Sequence, residues 1–182
     1  MLRVLESYYR YRRLRKAKLS DVQANERLVE SSTESVKNKM NESILRPWQR
    51  DLLETVQGAP DNRTVYWLWA TEGGKGQTWM SKYLTVVEDA LVLKSMKKSD
   101  MLQFLSKNKF SKTCVFDLSR KYGLPEEGSV KAVYEVAQAL KDGWICSVEY
   151  ECMFEPPHVI VFANFEPDRS KLSADMWNVI QI

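Results

Sequence analysis

The chain predicts an α/β fold of three layers, a mostly parallel central sheet between helices, preceded by a short helical N-terminal arm. Three observations carry this reading. Apolar strand-like runs alternate with amphipathic helical stretches from residue 46 onward. The runs are continuously apolar, as strands covered on both faces are. The polar and glycine residues that follow them fall where open α/β sheets bind ligands, at the strand C-termini.

The first predicted helix opens at Pro47, which suits a helix's first turn, and carries Trp48, Leu52, Leu53 and Val56 on one face until Gly58 stops it. A β-branched and aromatic run, Thr64–Trp69, follows the Pro60-Asp61-Asn62 turn and reads as a strand. After the glycine-rich loop, a helix starts near Thr78. Ala90–Leu93 is a short apolar strand, and Ser99 caps a helix bearing Met101, Leu102 and Leu105. Thr113–Phe116 is a strand ending on Asp117. Ser129 caps the clearest helix, with Val130, Val133, Tyr134, Ala137 and Leu140 as its inner stripe and Gly143 at its end. Trp144–Tyr150 alternates like a strand, and Val159–Phe162 reads as a fully buried one delivering Asn164.

At 182 residues the chain is long enough for one domain with a real core plus an appendage. We place the boundary at 45, with a basic arm and polar linker over residues 1–45 and the globular domain over 46–182. Residues 1–18 hold seven cations against Glu6 alone, so a net charge of +3 divides into a strongly basic arm and a slightly acidic body. Such an arm fits contact with nucleic acid or nuclear import, and equally a solvated helix face. No apolar run reaches membrane-spanning length, and the N-terminus lacks a signal peptide's apolar segment, so the protein is expected inside a cell and not on a membrane. Cys114, Cys146 and Cys152 have no zinc-type spacing and read as reduced thiols. The single histidine, His158, excludes a His-rich metal site and leaves little room for Ser-His or Cys-His nucleophilic chemistry. Following Pro156-Pro157 at the start of a strand, it reads as structural.

Three features carry chemistry. The loop Glu72-Gly73-Gly74-Lys75-Gly76-Gln77-Thr78 can turn backbone amides toward phosphates, with a helix N-terminus behind it and the Thr78 hydroxyl placed for Mg²⁺. Asp117, at the end of an apolar strand, suits a carboxylate that holds the metal's water shell. Asn164, at the end of another, suits an amide that orients an attacking water. Singly each is weak, since Gly-Gly turns and strand-end carboxylates are common; their shared placement favours a nucleotide site binding ATP and Mg²⁺.

At these residues the chain resembles the superfamily 3 helicase domain of replication-associated (Rep) proteins of circular single-stranded DNA viruses, over roughly Arg46 to Ile182. Trp67-Leu-Trp-Ala-Thr-Glu-Gly-Gly-Lys-Gly-Gln-Thr-Trp79 is similar to that family's Walker A, and Thr113–Arg120 to its Walker B. Leu140–Glu151 is similar to its B′ segment. Pro157–Asp168 is similar to its motif C, the most specific match, continued by Leu172–Trp177. The resemblance implies a phosphate-loop NTPase fold of AAA+-like kind. It also implies ATP-driven unwinding of single-stranded or origin DNA by a homo-oligomer, usually a hexameric ring, in the host nucleus. An RNA-virus helicase of the same superfamily would share the loop but not the Asn-Phe-Glu-Pro-Asp stretch. The family's rolling-circle endonuclease is expected to be absent, because residues 1–45 are short and contain no histidine.

Departures fall on working residues. The family has Lys where Gln77 stands, Lys where Glu149 stands, and a candidate arginine finger where Met176 stands. Loss of one preorganised charge-stabilising donor costs about 3–4 kcal/mol of transition-state stabilisation, and a lost finger roughly 10³–10⁵ in rate. Lys75 precedes the glycine and should project away from the phosphates. The resemblance therefore implies a helicase domain with impaired hydrolysis, a truncated or decaying copy, against the alternative of a non-catalytic DNA-binding or oligomerisation module.

Overall fold

A computed structural model describes residues 34–35, 38–40, 44–94, 96–108, 111–118, 127–146 and 151–182. The arm and linker expected over 1–45 lie almost wholly outside these residues; 34–35 and 38–40 are helical. Residues Ile44–Ile182 pack as one compact unit.

In chain order its elements are α1 (Pro47–Gln57), β1 (Val65–Trp69), α2 (Gln77–Val87), β2 (Leu91–Lys94), α3 (Lys98–Lys107), β3 (Thr113–Asp117), α4 (Glu127–Lys141), β4 (Trp144–Cys146), β5 (Glu151–Met153), β6 (His158–Ala163) and β7 (Trp177–Gln181). Strands β2-β3-β6-β1-β7 form one parallel sheet in that order. Parallel neighbours need long crossovers, which the intervening helices supply. Strands β4 and β5 pair antiparallel as a separate ribbon. The expected α/β architecture is therefore present, with β3 and β6 buried at every position.

The helices follow their apolar stripes. Val133, Ala137 and Leu140 of α4 and Met101, Leu102 and Leu105 of α3 are buried. Two expected caps are displaced. Helix α3 starts at Lys98 behind Lys97, with no side-chain cap, and Ser99 lies inside it, donating to Asp100 Oδ1 at 3.2 Å. Helix α4 starts at Glu127, so Ser129 sits in its first turn. In α3, Asp100 in the first turn favours the positive end of the helix dipole, which suits the early start. Residues 147–150 of the expected Trp144–Tyr150 strand lie outside the described residues. Strand β7, which extends the sheet beyond β1, was not foreseen.

Under the sheet's N-terminal edge lies a buried polar group. Lys141 Nζ donates to Asp61 O at 3.0 Å and to Pro157 O at 2.7 Å. Burial pushes its ammonium down to about 8, against the opposing pull of Asp61. His158 has the structural place expected of it: 2% exposed, with Nε2 3.3 Å from Gly58 O. That contact requires the Nε2–H tautomer, and burial lowers the imidazole's pKa.

Among the described residues no helix is long and apolar enough to cross a membrane.

Candidate functional site

The Gly73–Thr78 loop leaves β1 through Ala70, whose N–H donates to Ala163 O at the end of β6 at 3.2 Å. Gly74 and Gly76 adopt φ of +81° and +94°, a left-handed backbone that L side chains rarely take. These reversals carry the chain into α2, whose first residues are Gln77 and Thr78. The result is a cavity of about 320 Å³ lined by Gly73, Gly74, Lys75, Gly76, Gln77, Thr78, Trp79 and Asn164. A glycine loop that runs into a helix N-terminus beside a concavity is an arrangement that can accept an anion.

The structure thus brings together the glycine loop, Thr78 and Asn164, which arrives at the cavity directly after β6. Asp117 is buried at the end of β3, 7% exposed, and does not line the cavity. Strand β6 lies between β3 and β1, with Asp117 in register with Phe162. The carboxylate is therefore one strand beyond Asn164 on the same edge of the sheet.

Gln77 has a specific task. Its side chain is 6% exposed and its Nε2 donates to Ala163 O at 2.8 Å and to Leu68 O at 3.1 Å. The amide ties the ends of β6 and β1 together beneath the loop. Lys75 is among the residues that line the cavity, and its Nζ pairs with Glu72 at 3.3 Å.

Of the other two departures, Met176 is 0% exposed and part of the hydrophobic core. In this chain position 176 is a packing position, and the adjacent Asp175 is paired with Arg63 at 2.7 Å. Glu149 lies outside the described residues.

The segment after Asn164 is held by aromatic packing. Trp67 of β1 stacks on Tyr134 of α4 at 5.5 Å and meets Phe165 and Trp177 edge-on at 5.8 and 6.1 Å. Trp67 Nε1 donates to Phe165 O at 3.0 Å, and Asp168 N donates to the Tyr134 hydroxyl at 3.0 Å. Phe165 and Asp168 are therefore supports for the strand end that delivers Asn164.

Sequence reasoning missed two residues that lie against this loop without lining the cavity. Gln49 of α1 is 3% exposed; its Oε1 accepts from Arg46 N at 2.9 Å and its Nε2 lies 3.5 Å from Gly76 O. Arg46, just before α1, lies against the same glycine: a Cβ there would fall 3.9 Å from its guanidinium carbon. An amide on the otherwise apolar Trp48-Leu52-Val56 face was the available signal.

No family model matches the chain. Curated relatives do. The chain is 35% identical over 141 residues to Para-Rep C10 of Milk vetch dwarf C10 alphasatellite, covering 75% of this chain and 48% of the relative. The same figures hold for Para-Rep C7 of Faba bean necrotic yellows C7 alphasatellite. Para-Rep C6 of Subterranean clover stunt C6 alphasatellite is 31% identical over 145 residues, covering 75% of this chain and 47% of the relative. The chain spans about half the length of the curated relatives it matches. Over the matched stretch, the chain is similar to these Para-Rep proteins, which supports a Rep protein of a circular single-stranded DNA virus.

Proposed function

We propose that residues 46–182 are a Rep-type superfamily 3 helicase domain that binds ATP with Mg²⁺ and acts on single-stranded or origin DNA as a homo-oligomer in the host nucleus. One observation carries the nucleotide part: the cavity at the end of β1, lined by Gly73–Trp79 and Asn164. In this reading the loop amides and the first turn of α2 hold the phosphates. Thr78 and Asp117 supply hard oxygen donors of the kind Mg²⁺ takes, directly or through its water shell. Among the described residues there is no cluster of three or more His, Cys, Asp or Glu, so the nucleotide's own oxygens would complete the ion's coordination. Bound there, Mg²⁺ would neutralise charge on the phosphates. Asn164 orients water beside the terminal phosphate.

Turnover is expected to be slow. Gln77 directs its N–H groups at two backbone carbonyls and carries no charge to place on a phosphate. The alternative, a DNA-binding or oligomerisation module without hydrolysis, is favoured by that same commitment.

The deciding measurement is nucleotide affinity with and without Mg²⁺, together with phosphate release with and without single-stranded DNA, on this chain and on Gln77→Lys. Binding by both proteins, with release at least tenfold faster in Gln77→Lys, supports the helicase reading with impaired hydrolysis. Equal release from the two removes the assigned role of Gln77. DNA binding with no nucleotide binding in either protein selects the non-catalytic module.

A further inference from the structure

Besides Gln49, three cationic or hydrogen-bonding side chains come close to the glycine loop, and two are already engaged. Lys75 is paired with Glu72, and the Gln77 amide is spent on Leu68 O and Ala163 O. The third is Arg46. A Cβ added to Gly76 would meet Gln49 Nε2 at 2.9 Å and lie 3.9 Å, ordinary contact distance, from both Arg46 Cζ and Nε, so the guanidinium stands beside the loop at the edge of the residues that line the cavity. The guanidinium is exposed, and among the described residues it has no ion-pair partner.

Its position is fixed by more than its own reach. Arg46 N donates to Gln49 Oε1 at 2.9 Å, its carbonyl accepts from Gln49 N and Arg50 N, and Gln49 Nε2 lies 3.5 Å from Gly76 O. Trp48 holds the same end of α1 on β6 through an edge contact with Phe162 at 6.0 Å. The start of α1 is thereby tethered to the loop at the residue where the left-handed turn delivers the chain into α2. A polyanion held by neutral amides gains most from one cation with a planar donor fork at its edge.

We infer that Arg46 is the phosphate-binding cation of this cavity, supplying from α1 the positive charge that position 77 does not. This rests on the nucleotide reading above. It also assigns Gln49 as the residue that positions Arg46.

The test is calorimetric titration of the full-length chain with Mg·ATP and with ADP, on the parent, Arg46→Ala, Arg46→Lys and the double variant Arg46→Ala/Gln77→Lys. Circular dichroism confirms that each is folded. Loss of a charge-assisted contact should weaken ATP binding by roughly tenfold or more in Arg46→Ala, with a smaller loss in Arg46→Lys and recovery in the double variant. The dependence of affinity on salt should also flatten in Arg46→Ala. ATP affinity in folded Arg46→Ala equal to the parent's overturns the assignment and leaves the nucleotide reading intact. If Arg46→Ala does not fold, an unchanged affinity in Arg46→Lys together with a salt dependence no steeper than that of neutral ligands overturns it instead. A parent that binds neither nucleotide overturns both readings.

Discussion

Gln77 shows how one side chain can serve stability where a different one would serve chemistry. Its Nε2 donates to carbonyls at the ends of β1 and β6, and both hydrogen bonds are buried. Truncation to Ala leaves those carbonyls short of a partner, at a cost of about 1–3 kcal/mol. Gln77→Ala should therefore lower the midpoint of urea unfolding, and an unchanged midpoint would contradict the bracing role. A lysine at 77 keeps donors that can serve the same carbonyls. Gln77→Lys is thus expected to cost less stability than Gln77→Ala. Arg46 and Gln49 illustrate the opposite case. Their relation to Gly76 spans distant parts of the chain and exists only after α1 has packed, so the amide on the apolar face of α1 marks Gln49 without saying what it meets.

At the level of elements, the strand ends were legible and the strand order was not. Apolar runs terminating in Asp117 and Asn164 can be read directly, because burial on both faces leaves an unbroken hydrophobic stretch and the first polar residue marks its end. That β6 would insert between β1 and β3, placing Asn164 at the cavity and Asp117 one strand away, depends on packing among all the helices at once. Strand β7 was missed because Trp177–Gln181 is a short edge strand with three of its five residues exposed. The displaced starts of α3 and α4 have a local cause: serine is one of several ways to begin a helix, and neither Ser99 nor Ser129 sits at the first turn's boundary. The aromatic group around Trp67 joins β1, α4, the segment after β6 and β7. Trp67→Ala should cost about 3–5 kcal/mol through the cavity it leaves, read as a fall in thermal midpoint. Trp67→Phe should retain most of that while losing the donation to Phe165 O, loosening the segment after Asn164 in hydrogen exchange.

For the molecule as a whole, the buried Lys141 makes stability depend on pH far from the nucleotide cavity. Its folded pKa, about 8, lies below the unfolded value near 10.5. Between these values the unfolded chain binds the extra proton, so stability rises with pH across this window. It is fully present above 10.5 and is lost as pH falls through 8. His158, also lowered by burial, acts in the same sense at lower pH: its contribution is present above about 6.5 and is lost on acidification through the folded value. The buried Cys114 thiol, pushed up to about 12, acts in the opposite sense above about 9, so the Lys141 contribution is read as a difference: denaturant melts from pH 7.5 to 10.5 should show the parent gaining stability relative to Lys141→Met as pH rises. A parent-minus-variant difference that stays constant or shrinks over this range would contradict the placement of Lys141.

Strand β1 has a further consequence, one of timing. Both of its neighbours come from late in the chain: Val65–Trp69 pairs with Val159–Ala163 on one side and with Trp177–Gln181 on the other. During synthesis, the segment that becomes the glycine loop emerges long before either partner exists. Closing such distant pairs is the slow part of folding, and an apolar strand waiting for them is open to mispairing. The last residue even contributes, since Ile182 N donates to Trp69 O where the loop departs. The strand that carries the loop is complete on both sides only once these late residues have been made.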